Sequence, residues 1–208
     1  MYAIKSFLKA LLFTAGLLSA GWFFMPWKQV GEVVLFSAAG RLPKPVSLAY
    51  STVESVRDGF VVNNLEVKNL MGMTDIFFNT VTIVPDAAAS LMDMAPTCMV
   101  SFTGAVIGDI AVTPLKKMPG VSPGNGRLVA SINRQGIFLD GLRSDGELSM
   151  NGSILVNPSE MKIIWADMAM DVKSEAFEEN LSIVGSALNL PLHQEGRGRW
   201  LLRRPRSP

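Results

Sequence analysis

GRLVASINRQGIFLDGL (Gly126–Leu142) reads as two short apolar strands around a turn, with glycine at its start and near its end. Glycine, a few strand residues, a turn and a second apolar strand make the pattern of one β-hairpin. The same loose pattern occurs on either side, in GAVIGDIAVTP (Gly104–Pro114) and GELSMNGSILVNP (Gly146–Pro158), so each of the three segments is predicted to form one hairpin. No strict period relates them, which favours a β-meander over a counted repeat array.

The strand signal continues in both directions. Upstream, Val46, Leu48 and Tyr50 alternate with small residues, Leu65 and Val67 with Glu66 and Lys68, and Val81 and Ile83 with Thr80 and Thr82. A period of two marks a half-buried strand. Between them, Asp86 to Met94 is rich in Ala, Leu and Met after Pro85 and is predicted to make one or two helical turns, with strands resuming at Cys98 to Phe102. Downstream, Lys162 to Val172 is a strand candidate. Ser174 to Leu188 then changes to helical spacing, with Ser174 as N-cap, acids in the first turns, and Phe177, Leu181, Val184 and Leu188 on one stripe. Such a helix could cover an end or edge of the sheet.

The N-terminal part follows different rules. From Ala10 to Trp27 run 18 residues without a charge, ALLFTAGLLSAGWFFMPW, which as a helix would span about 27 Å. Leu11, Leu12, Phe13, Leu17 and Leu18 form its body. Trp22, Phe23, Phe24 and Trp27 gather at its far end, where amphipathic rings prefer the headgroup layer, and Pro26 suits the point of exit. The expectation is an uncut membrane anchor. The rival is a signal peptide with Lys5 and Lys9 as its basic region and a cut after Ala20. Basic residues on the two sides nearly balance, and a short N-terminal tail is more simply retained in the cytoplasm while the long remainder is exported. From Lys28 to Gly40 the spacing predicts a juxtamembrane helix, ended by Pro43 and Pro45.

Composition narrows the function. Hydrophobic residues are 49% and charged residues 18% of 208, and 19 Lys and Arg against 18 Asp and Glu leave a formal charge of +1. There is no global basic field of the kind nucleic-acid binding requires. Cys98, the single cysteine, cannot form an internal disulfide, and its apolar surroundings favour a buried, inert thiol. The lone histidine, His193, reads as an ordinary turn or surface residue. No His/Cys cluster is present for zinc. Asp167 and Asp171 would share a strand face about 13 Å apart, farther than paired catalytic carboxylates stand. Gly124-Asn125-Gly126 is too short for a phosphate-binding fingerprint and is predicted to be a tight turn. Neither catalytic residues nor a cofactor site can be named.

Two features could serve binding. Five arginines fall in the last 12 residues (Arg197, Arg199, Arg203, Arg204 and Arg206), with Trp200 among them. They could dock on an acidic partner or on anionic headgroups, with Trp200 as an interfacial contact. Alternatively, the inner strand faces, with Ile107, Ile110, Leu128, Phe138, Leu148 and Ile154, could line an open lipid groove or fill a closed core.

Three further stretches carry a family resemblance: Met25-Pro26-Trp27-Lys28-Gln29-Val30-Gly31-Glu32 after the anchor, the glycine-punctuated run from Gly141 to Gly152, and the ending from Leu190 to Trp200. With them the chain resembles the GspN family of type II secretion proteins, particularly its shorter delta-proteobacterial type, and more loosely AsmA-like and LptC-like envelope proteins. The resemblance implies a non-catalytic accessory of the secretion machine, in the bacterial inner membrane and facing the periplasm, acting by contacts with inner-membrane secretion proteins. The looser likeness implies a lipid-binding or lipid-transfer module. The expected organisation is a mainly β protein: cytoplasmic tail and transmembrane anchor (1–27), juxtamembrane helix and linker (28–42), a periplasmic β-meander or curved antiparallel sheet with one or two short helices (43–202), and a basic tail (203–208).

Overall fold

The computed structural model describes residues 21–205 apart from 23, 71, 114–115, 158–159, 161 and 188–189. Among these residues no helix is long and apolar enough to cross a membrane. The body of the expected anchor, with Leu11, Leu12, Phe13, Leu17 and Leu18, lies outside the described residues, as does Phe23.

The chain is mainly β, as expected. Helix α1 (Trp27–Arg41) is followed by β1 (Ser47–Ala49), β2 (Thr52–Val56), β3 (Gly59–Leu70), β4 (Thr74–Pro85), α2 (Ala87–Met92) and β5 (Thr97–Ile107). Then come β6 (Ile110–Thr113), β7 (Lys116–Met118), β8 (Val121–Asn133), β9 (Gly136–Ser144), β10 (Leu148–Asn157), β11 (Lys162–Val172), α3 (Glu175–Ala187), β12 (Leu192–Gly196) and β13 (Arg199–Arg204). Eleven strands form one antiparallel sheet in the order β1-β3-β4-β5-β8-β9-β10-β11-β13-β12, with β2 also on the outer edge of β3. The meander is broken twice. The small hairpin β6–β7 stands between β5 and β8, and after α3 the chain returns as the hairpin β12–β13, whose second strand docks on β11.

Alternation separates the two faces. Paired positions such as Val62 and Val81, Val81 and Phe102, Leu148 and Val172, and Met168 and Leu202 all join one apolar cluster. The chain covers this face itself, with Trp27 and Leu35 from α1, Ile110 and Met118 from β6–β7, and Phe177 and Leu181 from α3. The other face is mixed, with the apolar group Phe138, Leu155 and Trp165 and a set of polar pairs. Thr80 and Thr103 share a hydrogen bond of 2.6 Å, Ser153 Oγ donates to Asp140 at 2.6 Å, and Asn63 donates to both Thr52 and Glu54 at 2.9 Å.

A line of left-handed residues crosses the sheet and exchanges these faces. Asn64 in β3 (φ +50°), Gly104 in β5 (φ +59°) and Gly124 in β8 (φ +74°) lie on it, and in β4 Asn79 stands between the pairs Asn63–Thr80 and Leu65–Phe78. On one side Phe60, Val62, Val81 and Phe102 face the core. Beyond the line it is Leu65, Phe78 and Ala105, so odd and even positions have changed places. Phe78 and Phe102 meet edge to face at 5.6 Å across it. Such local irregularities bend strands and strengthen their twist, which curves the sheet.

These devices account for where the turn signals misled. Gly124-Asn125-Gly126 is not a tight turn but the irregular part of β8, where Asn125 Oδ1 accepts the Gly104 N–H at 3.1 Å. Gly146–Pro158 is not a hairpin: its residues 148–157 are the single strand β10, with Asn151-Gly152 in mid-strand. Only Gly fits there, because a Cβ on Gly152 would stand 2.2 Å from the Asp167 carbonyl oxygen. Gly104–Pro114 holds the end of β5 and β6, which pairs with β7 instead. Gly126–Leu142 is the hairpin the sequence predicts, β8–β9. Its turn is closed by Asn133 Oδ1, which accepts the N–H of Gln135 at 2.9 Å and of Gly136 at 3.0 Å.

Helix α1 packs on β2 and β3. Gly31 allows the approach, since a Cβ there would lie 2.7 Å from the Phe60 ring and 2.8 Å from Val53. Glycine inside a helix costs about 0.5–1 kcal/mol, whereas burying each large apolar side chain contributes roughly 1.5–3 kcal/mol. With Trp27 and Leu35 both buried, packing wins.

Candidate interaction surface

Helix α3 and the β12–β13 hairpin form a corner that holds the described residues of the arginine-rich ending. Ser174 starts the helix, its Oγ accepting the Phe177 N–H at 3.4 Å, and Glu175 and Glu178 occupy the first turn, where the helix dipole favours acids. Phe177 and Leu181 turn into the core, which leaves the glutamates facing the hairpin. Glu178 Oε1 accepts both the Gly198 backbone N–H, at 2.5 Å, and Gln194 Nε2, at 3.0 Å. Arg197 pairs with Glu175. Between helix and hairpin is a cavity of about 370 Å³ lined by Glu175, Glu178, Gln194 and Arg197 together with Glu179, Ser182 and Trp200.

Arg199, Arg203 and Arg204 are also engaged, and Arg206 lies outside the described residues. Arg199 Nε lies 3.3 Å from Glu195, Arg203 Nε lies 3.5 Å from Asp167, and Arg204 Nη1 donates to the Ile163 carbonyl at 2.8 Å. Arg203 and Arg204 belong to β13 and not to a frayed tail. The charge concentrated in the sequence is therefore distributed over partners from α3, β11 and β12. Trp200 is a correction: at 6% exposed it is part of the core and offers no interfacial ring. Its indole N–H has no acceptor among the described residues, nor does that of Trp27.

The other sequence candidates are scattered. Cys98 is half-buried in β5, and burial pushes its thiol pKa up, away from the thiolate that a nucleophile requires. His193 is exposed on β12. Asp167 and Asp171 share the outward face of β11, but Asp167 faces Arg203, while Asp171 borders a separate open cavity of about 460 Å³ with Arg143, Ser144, Ser149 and Asn151. No three His, Cys, Asp or Glu residues are grouped to hold a metal among the described residues. Of the groove candidates, Ile110 and Leu148 are buried in the core, and Ile107, Leu128 and Ile154 pack against it. Phe138 is on the opposite face, in register with Leu155 and 5.8 Å from the Trp165 ring.

At the start of α1 the aromatic cluster divides. Trp27 is 3% exposed and buried against the sheet, so it does not extend the cluster into a headgroup layer, and Trp22 packs edge-on against it at 4.9 Å. Phe24 is 86% exposed. Lys28 N–H donates to Ser55 Oγ at 2.9 Å, which puts this point beside the β2–β3 turn. The strand register brings α2, between the paired Pro85 and Cys98, and the β8–β9 turn to the same end of the sheet.

The sequence reading missed what α2 displays. None of its residues is buried, and Leu91, Met92 and, just beyond it, Met94 are 81%, 83% and 95% exposed. A compositional clue existed in Leu91-Met92 without a second apolar turn to complete a stripe. Val33, Val34 and Phe36 are likewise exposed along the outer side of α1.

No curated protein and no solved structure matches the chain. A family model does, described as type II secretion system protein GspN-like, Synergistales, over residues 4–204. The subgroup differs from the delta-proteobacterial type that the sequence suggested, while the family is the same. A match over nearly the whole length shows that this protein, a mainly β chain, belongs to the GspN-like family of type II secretion system proteins.

Proposed function

We propose that the protein is a non-catalytic component of the type II secretion system, anchored in the inner membrane by its N-terminal stretch, with its β-domain in the periplasm acting by protein contacts. The observation that carries this reading is the family match over residues 4–204. The uncharged run from Ala10 to Trp27 supports the anchor. The acids and arginines of the C-terminal corner, engaged with one another, suit a contact surface better than a reaction centre. Within this reading the outer surface meets inner-membrane secretion proteins, and the cavity between α3 and the β12–β13 hairpin is a place where a partner side chain could enter.

The test is to crosslink the tagged protein in living cells, extract it gently, and identify proteins and lipids in the same sample by mass spectrometry. Enrichment of inner-membrane secretion subunits with background lipid is expected. Stoichiometric lipid without those subunits would replace the contact reading with the lipid-transfer one.

A further inference from the structure

We infer that α2 and the residue pair after it form a tip that enters the headgroup layer of the lipid bilayer, beside the point where the N-terminal apolar stretch joins the domain. This rests on the anchored reading proposed above and adds a second membrane contact to it.

The first ground is that the apolar side chains of the tip contribute nothing to the fold. Polar bonds hold α2 in place. Asp86 Oδ1 caps the Ala89 N–H at 2.9 Å, and Ser90 Oγ donates to the Asp86 carbonyl at 2.6 Å and accepts the Thr97 N–H at 2.9 Å. Leu91 and Met92 project from this frame into solvent. Met94 adds a conformational anomaly, for it takes a left-handed φ of +49°, which glycine adopts without strain and a methionine does not. A fully exposed methionine in that conformation serves neither packing nor backbone. Ile132, also exposed, adjoins the tip through its N–H, which donates to the Pro96 carbonyl at 3.0 Å.

The second ground is position. The 18-residue uncharged stretch ends at Trp27, and Trp27 opens α1 at the same end of the sheet as α2. A chain that leaves a bilayer shortly before Trp27, which is itself buried in the domain, holds this end of the domain close to the membrane surface. Exposed Phe24 lies on the connecting segment. The turns and segments at this end of the sheet carry charges of both signs, Asp58, Asp93 and Glu160 against Lys28, Arg57, Arg134 and Lys162. That gives no single-sign field to recruit a charged protein, whereas Leu and Met side chains partition about 5–10 Å into the boundary between headgroups and acyl chains.

The experiment uses the full chain with Cys98→Ser and one new cysteine, Met92→Cys at the tip or Glu147→Cys at the opposite end. Each carries an environment-sensitive fluorophore and is reconstituted into vesicles of phosphatidylethanolamine and phosphatidylglycerol. Shallow spin-labelled lipid should quench the probe at position 92 severalfold more than the probe at 147, with a blue shift at 92 alone. Equal weak quenching at both positions, in protein that still floats with the vesicles, would overturn the tip and leave the anchor standing. Loss of flotation would remove the anchored reading and this inference together. A shift at 92 that appears only when inner-membrane secretion proteins are added would reassign the tip to a protein partner.

Discussion

Gly104 stands directly against Asn79: a Cβ on Gly104 would lie 2.1 Å from Asn79 Nδ2, in a backbone already left-handed at φ +59°. The pair marks the line where the sheet exchanges inward and outward positions. Gly104→Ala should destabilise the full chain by about 2–3 kcal/mol, combining the left-handed penalty with the displacement of Asn79. Urea unfolding monitored by tryptophan fluorescence measures this. An unchanged midpoint would mean that the line of irregularities is not required to fold the sheet.

The C-terminal corner depends on Glu178 more than on its arginines. Glu178→Ala leaves the half-buried Gly198 N–H without its acceptor, with an expected loss of about 1–2 kcal/mol. Arg197→Ala breaks a pair whose two side chains are largely exposed, and its effect should remain within about 0.5 kcal/mol. Hydrogen exchange resolves the two: faster exchange confined to β12 and β13 is expected in the glutamate variant alone. Equal acceleration in both would refute the assignment of Glu178 as the clamp.

How far the sequence exposes this architecture follows from where its signals are local. Alternation around Leu48, Val67 and Val81 is a property of neighbouring residues and survives in β1, β3 and β4. The reversal at Asn64 and Gly104 is not legible, because glycine and asparagine signal a turn and an in-strand irregularity in the same way. Asn151-Gly152 shows the ambiguity well: its glycine answers to the Asp167 backbone on another strand. The arginines are neighbours in sequence, but what neutralises Arg203 is Asp167, which only strand pairing brings beside it. Trp27 and Trp200 carry rings that suit an interface or a core equally, and the deciding fact, the close approach at Gly31 in the case of Trp27, is tertiary.

Burial of Cys98 has a pH consequence. Its pKa is raised by desolvation, so the folded state keeps the proton at pH values where the unfolded chain releases it. This contribution is fully present below the ordinary thiol pKa and is lost as pH rises through the raised one. Stability should therefore fall in the alkaline range in the native chain, and less steeply in Cys98→Ala, when denaturation midpoints are compared across pH. Maleimide labelling should also be slower than for an unfolded thiol at neutral pH. Parallel alkaline profiles in the two proteins would show that the buried thiol does not contribute.

Met94 separates stability from membrane contact, because the two make opposite demands on it. Replacing it with glycine removes the left-handed strain, about 1–2 kcal/mol, against an entropic loss of about 0.4–1 kcal/mol from greater freedom of the unfolded chain. Met94→Gly should thus stabilise the full chain in detergent by about 0.5–1 kcal/mol, since the 95% exposed side chain has almost no packing to lose. The same variant should weaken lipid quenching of a probe at position 92, because the tip has lost its most projecting apolar group. A residue kept only by neutral drift would show the first effect without the second. Destabilisation would show instead that the methionine is bound into the fold, and would remove the reason to look for its partner in the bilayer.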